Sequence, residues 1–183
     1  MAEPNAARSN LVRLSRLMAW LAAIGAVLAP LLDAFLYIAP GAYKVLSLSA
    51  DHMGSMLDDR VPLSYRLAAL ACSLGAEAFT VWALWSLRTL FRRYARGEVF
   101  SPAALKALND VAIALFASVI VGFGVRAPIS LLLTWPQGPG HRALLLEFGS
   151  DDVATLFIAA TVLLIARVMN EASRLAEENA KFV

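Results

Sequence analysis

Residues 111–135 read VAIALFASVIVGFGVRAPISLLLTW, and this stretch decides the fold class. It contains one charged side chain, Arg126. At 1.5 Å per residue it is long enough to cross a hydrocarbon core about 30 Å thick. It lacks the alternation of a barrel strand, and lipid offers no partner to unpaired backbone groups. The stretch therefore predicts a transmembrane helix.

Three further stretches have the same character, at residues 14–38, 63–87 and 152–169. Residues of the AVILMFWYC set make up 60% of the chain and charged residues 16%, against about 25% charged in soluble proteins. This composition, with a net charge of +2, argues against a soluble, disordered or nucleic-acid-binding protein. We predict an all-α, four-transmembrane-helix bundle that forms a single membrane domain over residues 1–183.

Lysine and arginine are distributed unevenly between the predicted loops. Of the 16 in the chain, eleven fall in the N-terminal segment, the connection between spans two and three, and the C-terminal segment. The other two loops hold three, and two lie inside spans. Because basic segments stay on the cytoplasmic side, we predict that both termini are cytoplasmic and that the other two loops face outward.

The connection between spans two and three carries helix stop and start signals. Residues 90–108 read LFRRYARGEVFSPAALKAL. Gly97 follows a basic helix end, and Ser101 with Pro102 is typical of a helix start. We therefore predict that the second helix continues into the cytoplasm, that a new helix starts at Pro102, and that Phe100 folds back over the turn.

The remaining loop signals lie around the fourth span. Residues 136–140 read PQGPG and predict a turn, after which Asp151 or Asp152 is expected to cap the fourth helix. Residues 170–183, NEASRLAEENAKFV, form a weak amphipathic pattern. We expect them to prolong the fourth helix into a cytoplasmic tail that lies along the basic connection or docks a cytosolic partner.

Residues 90–108 and the closing segment VMNEASRLAEENAKFV resemble a family of small bacterial four-helix membrane proteins, domain-of-unknown-function family 2975. Its members show a basic helix end, a glycine, an acidic or polar residue, a phenylalanine and a helix entering the third span. The resemblance extends over the chain by helix number and order. It implies an integral protein of the bacterial inner membrane and no known activity.

Apart from Arg16, Asp152 and Arg167 at the span ends, four ionisable residues lie inside the predicted spans, namely Asp33, Arg66, Glu77 and Arg126. Charges at membrane depth are costly, so each is a candidate for function. Counting along the helices places Glu77 near the centre and the other three in the outer half. The cluster is either a set of structural ion pairs, the interpretation we favour, or an outward-open pocket that binds a small or anionic ligand or relays a proton.

Arg126 is the residue of this cluster with the sharpest prediction. The residues around it in the third helix have small side chains, namely Gly122, Gly124 and Ala127. Pro128 leaves backbone groups nearby without their helical hydrogen bonds. We predict a contact with Asp33, the acid nearest in depth, with Glu77 as the alternative partner. Arg126→Leu should then destabilise the protein, and Asp33→Asn should restore part of the loss.

The basic run Arg88, Arg92, Arg93 and Arg96 is a candidate contact with lipid or a protein partner. We expect a protein of unknown activity that acts as an accessory, regulatory or interaction subunit through its cytoplasmic connection and tail. The alternative is a small transporter or ligand-binding protein that uses the intramembrane charges. No enzymatic activity, catalytic residue, cofactor or metal site is predicted. The expected partners are the bilayer and a membrane protein, a cytosolic protein or a second copy, and not nucleic acid.

Overall fold

The computed structural model describes residues 3–42 and 56–180, with side chains at 10–42 and 56–175. Within these residues the prediction of an all-α fold is confirmed, and no strand occurs. The four long helices are α1 (Glu3–Ile38), α2 (Leu63–Tyr94), α3 (Pro102–Thr134) and α4 (Ser150–Ala180). Each is long and apolar enough to cross a membrane, which indicates a multi-pass membrane protein.

The helices are longer than the spans predicted for them. They contain 31 to 36 residues, or about 46–54 Å at 1.5 Å per residue, so each projects beyond a 30 Å core. As expected, α2 and α4 continue past their spans. The early start of α1 at Glu3 was not predicted.

The turn between α2 and α3 follows its sequence signals, with one exception. Gly97 has a φ of 80°, the left-handed conformation that favours glycine after a helix end. Ser101 Oγ accepts a hydrogen bond from Ala104 N at 3.2 Å and caps α3. The prediction for Phe100 is wrong, since this residue is 60% exposed. It lies in the turn before α3, where neither neighbouring helix covers its side chain.

The helices pack in chain order, α1 on α2, α2 on α3 and α3 on α4, and other pairs barely touch within the described residues. We call the end where α1 and α3 finish the loop end, and the opposite end the basic end. One apolar cluster joins α1, α2 and α3 at the loop end, around Tyr37, Leu70 and Leu133. A second joins α2, α3 and α4 at the basic end, around Leu90 and Ala166.

Candidate functional site

A cavity of about 500 Å³ lies between α1, α2 and α3 in the loop-end half of the molecule. Three of the four predicted intramembrane charges line it. The polar side chains in its wall are Asp33, Tyr37, Ser73, Glu77, Thr80, Ser118 and Arg126. Since α1 and α3 both pack on α2 and hardly on each other, the cavity occupies the cleft between them.

The acidic side of the cavity is built from α1 and α2. Ser73 Oγ donates a hydrogen bond to Asp33 Oδ2 at 2.6 Å, which ties the two helices together. Glu77 lies one turn further along α2, on the face that carries Ser73 and Thr80. Its Oε2 atom is buried and accepts no hydrogen bond from the described residues. The cavity therefore contains a carboxylate whose hydrogen-bonding capacity is not filled by the residues that the structure describes.

Arg126 forms its ion pair with Asp152 at the start of α4, so the predicted pairing with Asp33 is wrong. Its Nη1 lies 2.6 Å from Asp152 Oδ2 and its Nη2 lies 2.8 Å from Oδ1, a bidentate arrangement. Asp152 Oδ2 also accepts from Gly149 N at 2.8 Å, which confirms that Asp152 caps α4. The charge of Arg126 is therefore engaged by a carboxylate outside the cavity wall.

The partner of Arg126 follows from the path of the segment before α4. After turns at Gly138 and Gly140, both with positive φ, the chain runs back along α3 without regular secondary structure. Three α3 side chains hold it. The contacts are Ala143 N to Thr134 Oγ1 at 3.1 Å, Leu145 N to Ser130 Oγ at 2.9 Å, and Arg126 Nη1 to the carbonyl of Glu147.

These contacts match two different periodicities. Residues 126, 130 and 134 are four apart on one face of a helix, which advances about 6 Å per step. Residues 143, 145 and 147 are two apart in an extended chain, which advances about 6.6 Å per step, close to the helix step. The segment therefore descends beside α3 and brings Asp152 to the level of Arg126. Non-helical backbone at membrane depth is tolerated only where protein satisfies it, as the α3 side chains do.

Arg66 serves a different purpose from the other three charges. Its Nη1 donates to the carbonyl of Ile38 at 3.0 Å and more weakly to that of Tyr37 at 3.4 Å. These carbonyls end α1 and have no partner within the helix. A cation there also complements the negative end of the helix dipole. Arg66 thus caps α1 from α2 and does not line the cavity.

The predicted basic run divides into two groups in the structure. Arg88, Arg92 and Arg96 line a second cavity of about 370 Å³ at the basic end, together with Arg16 of α1. Arg93 instead donates to Glu98 Oε2 at 2.8 Å. This hydrogen bond, aided by the charges of Arg93 and Arg96, holds the pKa of Glu98 below its usual value. The sequence contained no signal for Arg16, because spacing along α2 does not show which face of α1 meets it.

The family model described as "Protein of unknown function (DUF2975)" matches residues 48–183, well over half of the chain. The chain belongs to this family. The match includes α2, α3 and α4, and it starts after α1. It therefore contains Glu77, Arg126 and Asp152 but not Asp33 or Arg16. No curated protein and no solved structure matches the chain.

Proposed function

We propose that this member of the DUF2975 family binds a small organic cation in the cavity between α1, α2 and α3, and that its role is binding rather than catalysis. The observation that carries the proposal is the charge balance of the cavity. Asp33 and Glu77 both line it, while the guanidinium of Arg126 is engaged by Asp152. This balance favours a cation over the anionic ligand considered from the sequence.

The physical case rests on the cost of carboxylates at membrane depth. Two acidic groups in one low-dielectric cavity repel each other when both are ionised, and a cation between them relieves that repulsion. The unfilled Oε2 of Glu77 offers a direct contact. A volume of about 500 Å³ lies within the range of small-molecule sites, and the aliphatic wall suits an organic cation.

The experiment compares two probes of similar shape and opposite charge, tetraphenylphosphonium and tetraphenylborate. Binding to the purified full chain in neutral detergent is measured by calorimetry. We expect tetraphenylphosphonium to bind and Glu77→Gln to weaken it at least about ten-fold, since unit charges about 6 Å apart attract by about 3 kcal/mol at an effective dielectric constant of about 20. Asp33→Asn should weaken it less, because Ser73 shares that carboxylate.

The matched control is Glu171→Gln, which removes one negative charge from an exposed site on α4 that faces Arg174. Its affinity should equal that of the unmodified protein. Equal binding of tetraphenylborate, or an unchanged affinity in Glu77→Gln, would rule out the proposed site.

A second variant tests the cavity without changing charge. Gly122 lines it, and a Cβ placed there meets no atom within 4 Å. Gly122→Leu should therefore occupy cavity volume without disturbing helix packing. We expect weaker tetraphenylphosphonium binding at an unchanged melting temperature. Tight binding in this variant would place the probe elsewhere.

We further propose that the basic end faces the cytoplasm of a bacterial inner membrane. The segments at that end carry eleven of the 16 lysines and arginines, as the positive-inside rule requires. A reporter fused after Val183 tests this orientation. Fluorescent protein should be fluorescent there and alkaline phosphatase inactive, and the reverse pattern would contradict the proposal.

A second role, as an accessory or interaction subunit, is supported by the extension of α4. Beyond the predicted span, α4 continues to Ala180, and Leu175 is 49% exposed. Val168, Ala172 and Leu175 lie on one face of α4 and are all exposed, so this face supports a contact with a protein partner or a second copy. Side chains after residue 175, and residues 181–183 of the predicted tail, lie outside the described part.

The test of this second role uses the full chain, extracted in mild detergent. Leu175→Glu should lose a stoichiometric partner or the second copy, whereas Glu171→Gln should retain it. Identical sets of retained proteins in both variants would show that the extension is not the contact.

A further inference from the structure

The cavity at the basic end gathers four arginines from α1, α2 and the turn after α2. Arg88 and Arg92 are four residues apart on one face of α2, Arg96 follows at the same spacing in the turn, and Arg16 reaches the same cavity from α1. Like charges at this spacing destabilise a helix unless something compensates them. Their convergence on a cavity of about 370 Å³ therefore points to an anion between them.

The cavity wall described by the structure contains no carboxylate. The nearby acid Glu98 is occupied by Arg93, which does not line the cavity. Arg88 is held over the ring of Trp85, with its Cζ 4.6 Å from the ring centre, which fixes its position but leaves its charge. Arg96 interacts with Glu98 only through space, and no cavity arginine forms an ion pair with a described acid.

The depth of this cavity is set by aromatic residues. Trp20 lines it and is 69% exposed, and Trp85 is 53% exposed. Exposed tryptophans in a membrane protein mark the level of the lipid headgroups. From Tyr65 to Trp85 along α2 is twenty residues, or about 30 Å, the thickness of the hydrocarbon core. The arginine cavity therefore begins where the core ends.

We infer that this cavity binds an anionic phosphate group, presented by a lipid headgroup in the leaflet at the basic end. Guanidinium groups bind phosphate oxygens in bidentate fashion, so several of them around one cavity suit a phosphodiester. The exposed apolar faces of α1 next to it, including Leu17 and Leu21, accommodate acyl chains. The interfacial tryptophans favour a lipid over a soluble phosphate compound. This site is separate from the cation site proposed above and does not depend on it.

The test counts lipids bound to the full chain by native mass spectrometry from neutral detergent. Phosphatidylglycerol and phosphatidylcholine are titrated separately. We expect phosphatidylglycerol to bind with the higher affinity. Arg16→Gln combined with Arg92→Gln should weaken it about 100-fold, since each charge-assisted hydrogen bond to the phosphate contributes about ten-fold.

The matched control is Arg93→Gln combined with Arg167→Gln, which removes the same charge from the same end of the molecule but outside this cavity. It should bind phosphatidylglycerol within two- to three-fold of the unmodified protein. An equal loss in both double variants would show a general charge effect and overturn the site. If the first double variant fails to fold, Arg92→Gln alone, at an exposed position, should still give about a ten-fold loss.

A competition experiment with soluble phosphates distinguishes a lipid headgroup from a soluble phosphate compound as the ligand. Inorganic phosphate and glycerol 3-phosphate at millimolar concentration are added in competition with phosphatidylglycerol. We expect neither to displace the lipid. Displacement by either at these concentrations would overturn the lipid assignment in favour of a soluble phosphate compound.

Discussion

The arginines at the loop end of the molecule have different partners from those at the basic end. At the loop end, Arg126 binds the carboxylate of Asp152 and Arg66 binds the last carbonyls of α1. At the basic end, Arg16 and Arg92 meet around a cavity whose described wall has no acid. A charge within the hydrocarbon has to be satisfied by the protein, whereas one at the headgroups has lipid phosphate and water available. Arginines that bind a group of the protein, such as Arg126 and Arg66, therefore have a structural role here. Arginines that surround a cavity without an ion pair to a described acid are candidates for ligand binding.

The largest expected effect comes from breaking the pair at the loop end. Arg126→Leu leaves Asp152, whose side chain is 10% exposed, without its cation. We expect a loss of about 3 kcal/mol in the free energy of unfolding, followed by thermal unfolding in detergent. Adding Asp152→Asn should restore part of the loss, and adding Asp33→Asn should not. If Asp33→Asn restored the stability instead, this would support the Arg126–Asp33 pair predicted from the sequence.

The matched substitution at the basic end sharpens the comparison. Arg92→Leu removes a cation from an exposed position that has no ion pair with a described acid. We expect its free energy of unfolding in detergent to change by no more than about 0.5 kcal/mol. A loss as large as that of Arg126→Leu would mean that the basic end is held together by its arginines.

The contacts along α3 should give an intermediate effect. Thr134→Val removes the hydroxyl that accepts from Ala143 N, and a buried donor left without a partner costs about 1–3 kcal/mol. Amide hydrogen exchange of residues 143–149 should become faster. Thr161→Val is the control, because the Thr161 hydroxyl bonds only within its own helix and is exposed. Unchanged exchange in Thr134→Val would show that the segment is held by other contacts.

The smallest effect concerns the turn at the basic end and depends on pH. Arg93 stabilises ionised Glu98, whose pKa lies below its usual 4.5. The stabilisation of the turn by this ion pair is therefore complete at neutral pH. It is lost as the pH falls through the lowered pKa of Glu98, below 4.5. Amide exchange in residues 97–101 should speed up, after correction for intrinsic rates, as the pH drops below that value. Glu98→Gln should remove the pH dependence, and a dependence that persists would assign it to another group.

Features encoded locally were predictable from the sequence. The four helices follow from long apolar runs, and the turn before α3 follows from Gly97, Ser101 and Pro102, whose conformations are set within a few residues. The gathering of Asp33, Glu77 and Arg126 at similar depth was also accessible, because helix rise converts position into depth.

Features that depend on rotation or on an irregular path were not predictable. The predicted partner of Arg126 was wrong because we expected the loop before α4 to stay outside the membrane, whereas it runs back beside α3. The polar stripe of Arg126, Ser130 and Thr134 was the available signal, since such a stripe at membrane depth requires a polar neighbour. Arg16 was missed because no pattern in the chain fixes how α1 is rotated against α2.

The packing of the helices in chain order has a consequence for biosynthesis. Each helix can pack against the one that left the ribosome just before it. Few contacts therefore depend on segments that are synthesised much later. Arg126 differs, because its carboxylate partner Asp152 is on the following helix and leaves the ribosome after α3. The charge of α3 is therefore neutralised only when α4 packs against it. Nascent chains that stop short of Asp152 should be the ones most readily recognised by membrane quality control.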